Sequence, residues 1–332
     1  MSIYAAAFTA RGAELGKRLC AELGGELYVP ARLSQQTGLP GFESLSGWTA
    51  EVWNRAESLL FIGACGIAVR AIAPHVRDKL TDPAVVSVDE AGRFAVALLS
   101  GHVGGANALA CRAAAITGGQ AVVTTATDVN GLFAVDVFAA KNGLVLSDRR
   151  LAKEASAALL DGESLCLCSP WPVSGKVPKG VNLDGEGKKV YITTQNTPAD
   201  ALRLIPRAVT LGIGCRRGTS EEDIERLAVD VLSASGVDIR AVKRVRSIDL
   251  KKDEPGLAAF CRKFGLEFVT STAEELMAVP GVFGASEFVR GVTGCDNVCE
   301  RAAAMDGEII IHKTAGNGVT AAAAICPVSL EF

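Results

Sequence analysis

FAVALLSGHVGGAN, residues 94–107, is a short aliphatic run that stops at a polar, glycine-rich turn and then opens into an alanine-rich helical pattern. A run this short, apolar on both faces, reads as a strand covered by helices on either side. The same pattern recurs. The run at 58–63 leads into FIGACGIAVR (61–70), the run at 120–125 into TTATDVNG (124–131), and AVTLGIG from 208 into LGIGCRRGTS (211–220). Runs at 3–8 and 84–88 add further strands, and residues 11–23 predict a helix with Leu15, Leu19 and Leu23 on one face and Gly24-Gly25 as its stop. This alternation predicts an α/β protein of mainly parallel sheets covered by helices, with two α/β lobes and a small middle module.

At 332 residues the chain is about twice a usual single-domain length. We place an N-terminal α/β domain at 1–147, a middle module or linker at 148–206 and a second α/β domain at 207–332. A helix is expected over 148–160. After it the chain turns rich in Gly, Pro and Ser, with strand-like pieces at 166–168 and 189–194. In the last part, Thr219-x-x-Glu222 is expected to open a helix that closes at Gly236, and Thr272-x-x-Glu275 a second, shorter one. Strands are expected at 239–249, 267–271, 308–313 and 319–325.

The net charge of −3 and a charged fraction of 21% offer no general attraction to nucleic acid or to an anionic membrane. The longest apolar stretch, Leu59 to Val69, is too short to span a bilayer. The ten cysteines are scattered through apolar segments, with Cys295 and Cys299 read as small core residues, and the three histidines give no metal-ligand spacing. A reduced, cytoplasmic protein without a metal site of its own is expected.

Glycine at the carboxyl end of a strand lets backbone N–H groups approach a ligand, and a following helix N-terminus favours negative charge. In LLSGHVGGAN, His102 stands among Gly101, Gly104 and Gly105 with Asn107 close behind; a histidine so placed suits a general base or acid. TTATDVNG offers Thr125, Asp128 and Asn130. Asp128 or Thr127 caps a helix running through residue 140, or Asp128 contacts substrate or orients His102. The turn with Gly212 and Gly214 spaces its glycines GxGxxxG and lacks the acidic partner of a dinucleotide site; Arg216 suits a carboxylate instead. Ser286, Glu287 and Lys313 fall at loop positions near the end.

GHVGGAN (101–107) followed by TTATDVNG (124–131) resembles the paired signature of the CbiG N-terminal domain. LGIGCRRGTS, the SEFV…V-x-E-x-AA pattern (286–303) and KTAGNGVT (313–320) resemble its C-terminal domain, which CobE-type proteins share. The middle region, 148–206, matches only loosely, and His312 stands where many relatives carry proline. The resemblance implies a cobalt-precorrin-5A hydrolase of anaerobic cobalamin (vitamin B12) synthesis. Such an enzyme opens the δ-lactone and releases the C20 two-carbon unit as acetaldehyde, giving cobalt-precorrin-5B. The substrate is a small-molecule tetrapyrrole that brings its own cobalt, so no cofactor of the protein is expected, and contacts with other pathway enzymes are expected to be transient. On this reading His102 is the base and Asp128 its orienter or a second acid/base. Gly101, Gly104, Gly105, Asn107, Thr125, Asn130, Gly212, Gly214, Arg216, Ser286, Glu287 and Lys313 bind substrate. A non-catalytic tetrapyrrole carrier and a nucleotide-dependent α/β enzyme are the alternatives.

Overall fold

The computed structural model describes residues 2–78, 81–102 and 104–332, leaving out the side chains of Thr127 and Asp128. The chain divides into two compact units, residues 1–137 and 138–332.

The first unit begins β1 (Ile3–Ala7), α1 (Ala10–Leu23), β2 (Gly25–Pro30), α2 (Ala31–Thr37), β3 (Gly41–Phe42) and α3 (Leu45–Trp53). It continues with β4 (Ser58–Ile62), α4 (Cys65–Ile72), β5 (Ala84–Val88), β6 (Phe94–Leu99), α5 (Ala106–Thr117), β7 (Gln120–Val122) and α6 (Ala126–Val129). The strands form one sheet in the order β3-β2-β1-β4-β5-β6-β7. Period-2 alternation sorts its side chains. Leu60 and Ile62 of β4 pack with Leu19 and Leu23 of α1 and Leu109 and Ala113 of α5. Leu59 and Phe61 pack on the other face with Trp48, Val52 and Ala68 of α3 and α4. Both faces are covered, which is why these strands read as continuous apolar runs.

One feature departs from the expected run of parallel strands. The chain reverses between β5 and β6, which pair antiparallel, while β6 and β7 are parallel. Asp89 makes the reversal by accepting from the Ala91 and Phe94 amides (2.9 and 2.6 Å), with Gly92 at φ +69°. The turns after β6 and β7 therefore share one edge of the sheet, and the glycine turn after β4 opens at the opposite edge. Within this unit the three glycine turns therefore do not all open at one end of the sheet.

After α7 (Val135–Lys141) the second unit runs β8 (Leu144–Leu146), α8 (Arg149–Leu160), β9 (Leu165–Cys168), β10 (Val173–Ser174), β11 (Val181–Asn182), β12 (Lys188–Ile192) and β13 (Leu202–Pro206). Next come β14 (Val209–Cys215), α9 (Glu221–Ala234), β15 (Val242–Ile248), α10 (Pro255–Phe264), β16 (Glu267–Ser271) and α11 (Ala273–Ala278). The chain ends with α12 (Glu287–Thr293), α13 (Val298–Ala304), β17 (Glu308–Gly316), β18 (Val319–Ile325) and β19 (Leu330–Glu331). The sheet orders are β11-β9-β12-β13-β8 and β16-β15-β14-β18-β17. In the second of these, β14, β15 and β16 are parallel, β18 is antiparallel to β14, and the edge strand β17 is antiparallel to β18.

The segment before 206 is welded to the segment after it. Buried Arg203 of β13 pairs with buried Asp238 at 2.9 Å, Arg240 adds a second contact to Asp238 at 2.7 Å, and β19 returns to pair with β10. Burial alone would raise the Asp238 carboxyl, but its hydrogen bonds with Arg240 and Arg203 outweigh that and lower it to about 2.

Two local expectations shift. The cap of α9 is Ser220, whose hydroxyl accepts from the Asp223 amide at 3.2 Å, because the Thr219 hydroxyl is already donated to the Arg216 carbonyl at 2.8 Å. The strand expected over 239–249 begins at Val242, residues 239–241 forming a single 3₁₀ turn. Thr272 and Glu275 make the full reciprocal capping box expected for α11.

Candidate functional site

The loop between β6 and α5 folds on its own backbone. Ser100 takes φ +55°, a conformation L-residues avoid, and is held there by its hydroxyl bond to the Asp82 carbonyl at 3.0 Å. The Gly105, Ala106 and Asn107 amides donate to the carbonyls of His102, Ser100 and Gly101 at 3.0, 3.1 and 3.0 Å. A Cβ on Gly104 would lie 2.3 Å from that of Ser100, and Gly105 sits at φ +86°. Gly104 and Gly105 thus make the tight turn, and the first helical N–H groups close it. Those amides are thereby taken up within the loop, whereas the sequence suggested that they would face a ligand. What the turn presents is His102, half-buried in the middle of the loop.

The two N-terminal signature segments meet. The Asn107 side-chain amide donates to the Thr125 hydroxyl at 3.1 Å, joining the start of α5 to the end of the β7 turn. Beside this bond lies a groove of about 330 Å³ lined by Asn107, Ala108, Cys111, Val123 and Val129. Its wall is mostly apolar with one amide at the rim. The helix expected to run from Asp128 through 140 is instead broken. Asp128 lies inside α6, which stops at Val129; Gly131 takes φ +59° and α7 starts at Val135. Asp128 therefore does not cap a long helix, and its side chain lies outside the described residues. Asn130 donates its amide to the Ala126 carbonyl at 2.8 Å, closing α6.

In the second unit, the turn after β14 lies against the β17–β18 hairpin. The Arg216 amide donates to the Gly318 carbonyl at 3.0 Å, and Cys215 pairs with Val319. Arg216 and the KTAGNG hairpin are thereby brought to one sheet edge, with the Arg216 side chain exposed. Gly212 and Gly214 have a packing role instead of the expected ligand contact. A Cβ on Gly212 would lie 1.8 Å from the Cys299 carbonyl of α13, and one on Gly214 would lie 2.7 Å from the Thr320 hydroxyl. Ser286 caps α12 by accepting from the Val289 amide at 3.4 Å, which leaves its hydroxyl a capping role, and Glu287 is exposed in that helix's first turn. Cys295 precedes α13 and Cys299 lies within it; both are buried, and burial pushes the Cys299 thiol up to about 11.

The sequence reading missed a polar cluster at the start of α13. Asn297, fully buried, accepts the Glu300 amide at 3.1 Å and donates to the Gly284 carbonyl at 3.0 Å and to the Glu300 carboxylate. The other Glu300 oxygen accepts from the Lys313 amide and meets His312 Nδ1, both at 3.0 Å. Burial alone would raise the Glu300 carboxyl; the donors from Lys313, His312 and Asn297 outweigh it and hold it below the usual range. The available signal was Asn297-x-x-Glu300, the spacing of a helix cap.

The family models described as "Cobalamin synthesis G N-terminal", "Cobalamin biosynthesis central region" and "Cobalamin synthesis G C-terminus" match residues 47–128, 133–206 and 209–324. The middle region thus matches the family in its own right, contrary to the loose likeness seen in its sequence. The chain is 34% identical to a cobalt-precorrin-5A hydrolase of Salmonella typhimurium over 96% of each chain. It is 32% identical to one from Priestia megaterium, over 82% of this chain and 79% of the relative. Protein CobE of a Sinorhizobium species is 31% identical over 35% of this chain and 79% of its own length. With three consecutive family domains and end-to-end identity to a curated relative, the chain belongs to the CbiG family of cobalamin-synthesis proteins.

Proposed function

We infer that this chain is a cobalt-precorrin-5A hydrolase. The end-to-end identity of 34% with the Salmonella typhimurium hydrolase carries that reading. In the reaction, water adds to the δ-lactone carbonyl and the ring C–O bond breaks, leaving a carboxylate and a hydroxyl on C20. Loss of the hydroxyl proton then lets the bond from C20 to the macrocycle break. The macrocycle keeps the electron pair and takes up a proton, and C20 leaves with its methyl group as acetaldehyde, giving cobalt-precorrin-5B.

We assign His102 as the base that activates water, with Asp128 as its orienter or as the second acid/base. Asn107 and Thr125, already bonded to each other, offer polar contacts at the rim of an apolar groove. At about 330 Å³ this groove is at the small end for a ligand site and suits one edge of the macrocycle. Arg216 and Lys313 supply positive charge for the acetate and propionate groups, and we keep Glu287 as a further substrate contact. The cobalt arrives with the substrate, and we propose no further cofactor, a cytoplasmic location and transient contact with neighbouring enzymes. Among the described residues, no helix is long and apolar enough to cross a membrane.

A nucleotide site at the GxGxxxG turn is disfavoured, because Gly212 and Gly214 are closed over by α13 and Thr320. A carrier would bind the macrocycle and return it unchanged. Mass analysis of the macrocycle after incubation separates the readings: loss of the two-carbon unit is expected, and quantitative recovery of intact lactone would refute hydrolysis.

A further inference from the structure

Two residues of the second unit form a pair that the hydrolytic roles above do not use. His312 Nδ1 lies 3.0 Å from Glu300 Oε1; the His312 side chain is 83% exposed and that of Glu300 5%. A histidine so exposed contributes little to packing, yet its ring is tied to a buried acid.

The backbone is shaped to make this contact. β17 is an edge strand, and its pairing with β18 slips between Ile311 and Thr314, which face Ala323 and Ala321. One extra residue is therefore accommodated at His312–Lys313, a β-bulge of the kind that re-aims side chains. The bulge frees the Lys313 amide from the strand ladder to donate to Glu300 Oε1, and His312 reaches the same oxygen. The other carboxylate oxygen accepts from Asn297. With both oxygens serving as acceptors, Nδ1 is the donor, and the Nε2 lone pair is left pointing away from the carboxylate.

An imidazole whose Nδ1–H is held by a carboxylate, with Nε2 free, is the arrangement proteins use to aim a histidine at a metal and raise its basicity. Histidine is also a common axial ligand to a metal held in a tetrapyrrole plane. We propose that His312, oriented by Glu300, is an axial ligand through Nε2 to the cobalt that the substrate carries. This rests on the hydrolase reading for the identity of the macrocycle, and it adds a contact to the metal instead of to the carboxylate rim.

The test mixes the full chain with cob(II)inamide, a cobalt(II) corrinoid without a nucleotide base of its own, and records its electron paramagnetic resonance. The wild type is expected to show cobalt lines split by one axial nitrogen, with ¹⁵N-histidine labelling changing the multiplicity. His312→Ala should lose the splitting, melt at an unchanged temperature, and bind the cobalt corrinoid no better than its metal-free counterpart. A wild type that retains the corrinoid without nitrogen splitting, or splitting that survives His312→Ala, overturns the assignment and leaves the hydrolase reading standing. A wild type that does not retain the corrinoid also overturns the assignment. The hydrolase reading falls only if acetaldehyde release from cobalt-precorrin-5A is absent too.

Discussion

The loop after β6 and the cluster at the start of α13 both gather polar residues, but they handle them in opposite ways. In the first, the backbone satisfies itself: three amides close onto loop carbonyls, glycines make the space, and His102 is left half-buried. In the second, side chains satisfy each other under cover, with Asn297 and Glu300 buried and fully bonded. A buried polar group left unpaired costs stability, so the second region is the one whose members depend most on each other. On the roles proposed above, the first region acts, and the second holds its shape and orients His312.

His102→Ala is the sharpest way to break that contrast. Turnover should fall ~10²–10⁴-fold, the usual contribution of a positioned base, in a variant whose thermal melt shows that it is folded. Activity within about threefold of wild type, well short of that contribution, would return His102 to a structural role.

The second unit should show the reverse. Asp238→Asn leaves Arg203 buried without its carboxylate, and breaking such a pair costs about 3–5 kcal/mol. Denaturant melts should show that loss while the Michaelis constant stays put. The same group sets an acid limit. Its folded pKa, about 2, lies below the ordinary carboxylate value of 3.8. Its contribution is therefore fully present above that ordinary value and is lost as pH falls through the folded one, by roughly 2 kcal/mol in all. Wild-type melts across that acid range should fall more steeply than those of Asp238→Asn.

Gly212→Ala tests whether a glycine assigned to ligand binding serves packing. The added methyl meets the Cys299 carbonyl, so α13 must shift, at a cost of about 1–3 kcal/mol typical of overpacking. A stable variant with weakened substrate binding would restore the ligand role. The smallest effect belongs to Arg216→Ala. The side chain is exposed, and a solvent-screened ion pair is worth up to about 1 kcal/mol, so the Michaelis constant should rise at most about fivefold with turnover nearly unchanged. An unchanged constant at low salt would remove Arg216 from the site.

These contrasts also mark where sequence reading succeeds. β1, β4 and β5 were legible because both faces of each strand are buried and apolar, and α11 because its capping box lies within four consecutive residues. The direction of β6 was not, since a short Asp-Gly turn between two apolar runs decides it. Helix α9 was misplaced by one residue because Thr219 and Ser220 compete for the cap, and a hydrogen bond back to Arg216 settles the choice. The GGAN and TTATD segments announced themselves by composition, but their union through Asn107 and Thr125 depends on α5 packing beside β7. Beyond its cap spacing, the Glu300 cluster was illegible for the same reason: it joins a helix start to a bulge in a strand twelve residues on.

We propose that His102 does chemistry and that Arg216 contributes binding alone. Single-turnover acetaldehyde release with enzyme in large excess tests it directly, because saturating protein cancels a binding defect and leaves a chemical one exposed. Arg216→Ala should then match the wild-type rate while His102→Ala stays slow at every protein concentration. A His102→Ala variant rescued by excess protein, or an Arg216→Ala variant that stays slow, would contradict the claim.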